Sequence, residues 1–132
     1  MVILRNKFIH LPWTKNNINL FKRKDNLLCH ARIGKDIDGV ILTKNNSFVG
    51  YIAWSKEFII ALEVMPEWRK QGIATYLISL SPVQRLTVNK NNREAIKLYL
   101  DLGFSVIKED NRILYMENIN ADKNAEKINK NR

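Results

Sequence analysis

Between Asp38 and Glu117 the apolar positions gather into short runs separated by turn residues. Residues 39–44 and 47–54 are β-rich and flank Lys44-Asn45-Asn46, where two asparagines suit the positive φ of a tight turn. They predict an antiparallel hairpin. Residues 57–64 follow after Ser55-Lys56, and their almost unbroken apolar character suits a strand covered on both faces near the centre of a sheet. Residues 72–80 read as a short helix stopped by Pro82, which lacks a backbone donor and disfavours helix in the residue before it. A strand is expected over 83–88. Residues 92–102 set Ala95, Leu98, Tyr99 and Leu102 on one helical face, with Gly103 as the stop. Residues 104–108 and 113–117, joined through Glu109-Asp110-Asn111-Arg112, predict a closing hairpin. This order of elements implies a mixed α/β sheet. In residues 1–36, Pro12, the polar run from Thr14 to Asn19 and an amphipathic patch over 27–33 leave helix and strand both open.

Composition narrows the class. The 132 residues suit one domain, and 45% apolar against 27% charged residues is globular composition. No repeat or Gly/Ser-rich linker divides the chain, so residues 1–118 are expected to form one domain. Residues 119–132 lack aromatics and read as a basic, flexible tail. The lone Cys29 excludes an internal disulfide and reads as a small buried hydrophobe. The N-terminus lacks the order of a signal peptide, and no apolar run reaches the roughly 20 residues of a membrane span, so a cytoplasmic protein without a membrane partner is expected. A formal charge of +9 attracts anions, but the abundance of Asn, Lys and Ile, typical of AT-rich coding sequence, accounts for part of it.

The stretch that carries chemistry is Val64-Met65-Pro66-Glu67-Trp68-Arg69-Lys70-Gln71-Gly72-Ile73-Ala74, where a strand ends, the chain turns and a helix begins. The first N–H groups of a helix have no partner within it, and the helix dipole places partial positive charge there. Gly72 admits a ligand close to the backbone, Ala74 keeps the first turn low, and Arg69 and Lys70 add full charges. Two linked phosphates fit such a site. On spacing alone, an ordinary turn with surface cations fits equally well.

Arg-x-x-Gly-x-Ala after Val-x-Pro-Glu resembles the pyrophosphate-binding motif of the GNAT superfamily of N-acetyltransferases. The segment from Leu86 to Phe104, with Asn92, Ala95, Leu98-Tyr99 and Leu102-Gly103-Phe104, is similar to that family's second signature. The resemblance covers residues 38–117. It implies a central, mostly antiparallel sheet with a splayed parallel strand pair and flanking helices. It further implies acetyl-CoA as co-substrate and no metal. The amides of Lys70, Gln71, Gly72, Ile73, Ala74 and Thr75 would hold the pyrophosphate with Arg69 adding charge; Val64 and Met65 would run along the pantetheine arm, and Asn92 would hydrogen-bond the cofactor. Tyr99 matches the general acid for the departing thiolate. The reaction would be direct attack of a neutral amine on the thioester, with N–H groups near Val64 and Met65 facing the oxyanion and Glu63, less well Glu57, as the base.

Two departures stand against this pattern. The ribosomal-protein N-terminal acetylases of the family carry a glutamate on the strand after the motif, where this chain has Thr87. The helix after Gly72 has room for only about two and a half turns. A catalytically silent member binding CoA, protein or nucleic acid is therefore the alternative. The acceptor, a small molecule or protein amine, is not named by the sequence; nucleic acid is the less favoured partner, and a dimer is compatible with the chain. His10 and His30 lack metal-ligand spacing. Trp13 and Trp68 read as core or rim aromatics, and Trp54 as the one to test for acceptor binding.

Overall fold

The computed structural model describes residues 8–25 and 36–118, with side chains described except at 21–25. The expectations for Cys29, His30 and the 119–132 tail lie outside the described residues. The chain divides into two compact units, residues 1–83 and 84–132.

In the first unit, β1 (Ile9–Pro12), β2 (Asp38–Lys44), β3 (Ser47–Trp54) and β4 (Ile59–Val64) pair in chain order, each antiparallel to the next. Asn45 and Asn46 close the β2–β3 hairpin with φ of 52° and 65°, the positive pair that matches the twist of the strands. Helix α1 (Lys15–Asp25) and β1 occupy the described part of the N-terminal region that the sequence left open, and the amphipathic patch over 27–33 lies outside the described residues. The helix starts where the Thr14 hydroxyl accepts from Asn17 N–H at 3.2 Å. Its Ile18 is fully buried against Ile41, Phe48 and Tyr51, with Trp13, Ala61 and Met65 around them.

Helix α2 (Ile73–Leu80) covers the other face, against β3 and β4, and buries Ile73, Leu77 and Ile78. Gly50 lets this layer close: a Cβ there would stand 2.6 Å from the Glu63 carbonyl oxygen and 3.2 Å from the Val64 Cα. The backbone of β4 cannot yield cheaply, so Gly50→Ala should lower stability by about 1–3 kcal/mol, read as an earlier urea midpoint.

In the second unit, β5 (Arg85–Asn89), α3 (Arg93–Asp101), β6 (Ser105–Glu109) and β7 (Ile113–Glu117) follow one another, and β7 lies between β5 and β6, antiparallel to both. Among its described residues, Leu86, Val88, Phe104 and Met116 are the buried apolar ones. At the hairpin end Asp110 Oδ1 accepts from the N–H groups of Arg112 and Ile113, which holds its carboxyl below the usual range.

The mixed α/β class expected from the order of elements and the mostly antiparallel sheet that the resemblance implies are both found. Two strands begin two residues later than expected. The strand expected from 57 begins at Ile59, because the Ser55 hydroxyl accepts from Glu57 and Phe58 N–H and bends the chain into a turn. The strand expected from 83 begins at Arg85, after Val83 N–H has turned to the Ser81 hydroxyl at 3.1 Å. Among the described residues no helix is long and apolar enough to cross a membrane.

Candidate functional site

The turn between β4 and α2 is built from hydrogen bonds that face inward. Trp68 N–H donates to the Met65 carbonyl at 2.9 Å and Arg69 N–H to that of Pro66 at 3.3 Å, closing a single 3₁₀ turn. Side chains occupy two further carbonyls: Arg69 Nε donates to Val64 at 3.0 Å and Gln71 Nε2 to Glu67 at 3.2 Å. The backbone then passes through two left-handed residues, Lys70 at φ 62° and Gly72 at φ 81°. Helix α2 starts there, its first internal bond running from Tyr76 N–H to the Gly72 carbonyl at 3.0 Å. From Lys70 to Thr75, six consecutive amides therefore have no acceptor among the described residues. A row of unpaired donors at the positive end of a helix dipole fits an anionic group such as a diphosphate. The half-buried Ala74 keeps the first turn low, and the buried Ile73 anchors it to the core.

Strand β4 presents its residues to alternate faces. Glu63 lies between Ala61 and Met65 on the α1 face, half-buried and opposite Tyr51 in the ladder. The Trp13 indole stacks on Tyr51, with centroids 5.6 Å apart. Met65 N–H donates to the Val49 carbonyl at 2.8 Å and is thus committed to the sheet. By the alternation of an antiparallel ladder, the N–H and C=O of Val64 point away from β3. Of the two amides considered for an oxyanion, that of Val64 is the one not committed to β3.

In the second unit, Asn92 caps α3: its Oδ1 accepts from Ala95 N–H at 3.2 Å, while its side-chain nitrogen has no partner among the described residues. Tyr99 stands half-buried on α3, edge-on to Phe104 at 5.9 Å. Burial pushes its phenol above the ordinary value, so the proton stays on at neutral pH. Thr87 is exposed on β5, opposite Tyr115.

The remaining candidates have structural partners. Glu57 sits exposed in the turn before β4. His10 Nε2 and the Tyr76 hydroxyl are 2.5 Å apart, a link from β1 to α2 across 66 positions of sequence that no local pattern announces. Trp68 packs edge-on to Phe8 with Lys44 Nζ 5.3 Å from its ring, which makes it a rim aromatic. Trp54 ends β3, half-buried and paired with Asp38 and Ile59. The Arg69 contact was the feature least visible in the sequence, since a separation of five follows neither helical nor strand spacing; Gln71 and Glu67 stand four apart, but the chain between them is not α-helical.

The Acetyltransferase (GNAT) domain family matches residues 35–106, more than half of the chain and parts of both units. No curated protein sequence matches. Among solved structures, the ribosomal-protein-S18-alanine N-acetyltransferase of Escherichia coli is similar over 83% of this chain and 91% of its own, at 15% identity and a TM-score of 0.62. An acetyltransferase from Thermus thermophilus is similar over 83% and 95%, at 16% identity and a TM-score of 0.61. A Bacillus anthracis structure in complex with acetyl coenzyme A is similar over 83% and 97%, at 14% identity and a TM-score of 0.58.

Proposed function

Because the chain belongs to the GNAT acetyltransferase family, we propose that it moves the acetyl group of acetyl-CoA directly onto a primary amine. The observation that carries this reading is the row of six amides from Lys70 to Thr75 that have no acceptor among the described residues, with Lys70 and Gly72 left-handed. Those donors suit the diphosphate, and Arg69 and Lys70 add positive charge beside it. Val64, Met65, Gln71 and Asn92 take the remaining cofactor contacts in this assignment, which follows the family pattern.

In the reaction, Glu63 removes a proton from the incoming ammonium so that the nitrogen lone pair can attack. The Val64 N–H faces the oxygen on which negative charge develops. As the C–S bond breaks, Tyr99 gives its proton to the departing thiolate and its phenolate takes the remaining extra proton from the nitrogen of the new amide; a phenol held protonated by burial suits that task. The amine acceptor is a small molecule or a protein amine.

Calorimetric titration of CoA should show saturable binding, and acetyl-CoA with a panel of primary amines should release free thiol in step with acetylated product. No binding of CoA to folded protein would overturn the reading. Binding without turnover across a broad panel would instead favour a silent CoA-binding member, a reading to which Thr87 in place of the acetylases' glutamate lends some support.

A further inference from the structure

We infer that Arg69 is a positioning residue, acting on the anion cradle through the place of its Nε donor more than through its charge. Four successive carbonyls, of Val64, Met65, Pro66 and Glu67, each accept a hydrogen bond from within the turn. Arg69 supplies two of the four donors, its main-chain N–H to Pro66 and its side-chain Nε–H to Val64. The Val64 bond spans from the last residue of β4 to the residue just before the left-handed Lys70. A non-glycine residue holds a left-handed conformation only where its surroundings over-determine it. Arg69 and, on the other side of Lys70, Gln71 provide that constraint. With the carbonyls turned inward and held, the amides that follow are left facing outward together.

A charge alone would not do this. The Nε of arginine sits one bond beyond Cδ, and the guanidinium terminus extends further still. Glutamine places its Nε2 at the same step along the chain, as a neutral donor. Lysine keeps the positive charge but puts a methylene at that step. Arg69→Gln therefore preserves the brace and removes the charge, whereas Arg69→Lys does the reverse.

The functional consequence rests on the acetyl-CoA reading, so two measurements are paired. In calorimetric titrations with CoA, Arg69→Lys should weaken binding by roughly five- to tenfold, the worth of one hydrogen bond, and Arg69→Gln by no more than about threefold on the same scale. The reverse order, or equal losses, would overturn the inference. In amide hydrogen exchange without any ligand, Trp68 and Arg69 should exchange faster in Arg69→Lys than in wild type, with Arg69→Gln restoring protection. Equal exchange in the two variants would overturn the brace whether or not CoA binds. Failure of the wild type to bind CoA would overturn the acetyl-CoA reading and leave the exchange result to decide this one.

Discussion

Gly72→Val is expected to weaken CoA binding by roughly a hundredfold or more, while the protein still folds. Gly72 has φ 81° and ψ 9° and is the N-cap of α2. A β-branched residue is a conformational outlier there, and the strain is on the order of 1–3 kcal/mol. Relaxing that strain requires Gly72 to leave the left-handed region, which rotates the peptide planes on either side and splays the amides of Gly72 and Ile73. Hydrogen bonds to a charged group contribute about 1.5–3 kcal/mol each, so misdirecting two of them exceeds the 2.7 kcal/mol that corresponds to about a hundredfold. Gly72→Asn separates conformation from bulk, because asparagine visits the left-handed region far more readily. Calorimetry with CoA should therefore rank wild type above Asn and Asn above Val. If all three bound CoA alike, the amides that open α2 would not be the anion site.

The parts of the fold that were legible in the sequence are those decided by neighbours in the chain. Asn45 and Asn46 specify a turn with two positive φ values regardless of what lies beyond the strands. Asn92 caps α3 and Gly103, at φ 99°, ends it, so both helix limits are written within twelve residues. Gly72 likewise announces the α2 start and with it the proposed anion cradle. The N-terminal region was opaque for the opposite reason. Strand β1 is four residues long and exists through pairing with Thr43, Leu42, Ile41 and Val40, some thirty positions away. In α1, Ile18 is the residue seen fully buried, too little for a stripe to show among polar neighbours. The strand limits at Ile59 and Arg85 were displaced by serine hydroxyls that capture backbone N–H groups, an option invisible to a count of apolar positions. Within the site, nothing about a lysine signals the left-handed backbone at position 70. Nor does the spacing from Arg69 to Val64 mark a contact, since the chain between them is neither α-helix nor strand.

Tyr99→Phe should lower the rate of acetyl transfer by about 10²- to 10³-fold, within the range typical of a general acid, and leave CoA affinity within a few-fold of wild type. The substitution deletes a hydroxyl and keeps the ring that stands edge-on to Phe104, so the packing of α3 is retained. What is lost is the proton offered to the leaving thiolate. A role confined to packing would give the opposite pattern, with little change in turnover for a ring-preserving substitution. The alkaline behaviour provides a second, independent sign. Burial raises the Tyr99 pKa above the phenol value of about 10, so the folded state binds that proton more tightly than the unfolded state does. Above pH ~10 the unfolded chain releases it first, and stability falls as pH rises through the folded-state pKa. In Tyr99→Phe that contribution is absent, so its stability should decline less steeply over the same range. Urea midpoints measured from neutral pH to beyond pH ~10, together with thiol release under the best acceptor of the amine panel, would test both halves. Wild-type turnover in the phenylalanine variant would remove Tyr99 from the chemistry, whatever its titration showed.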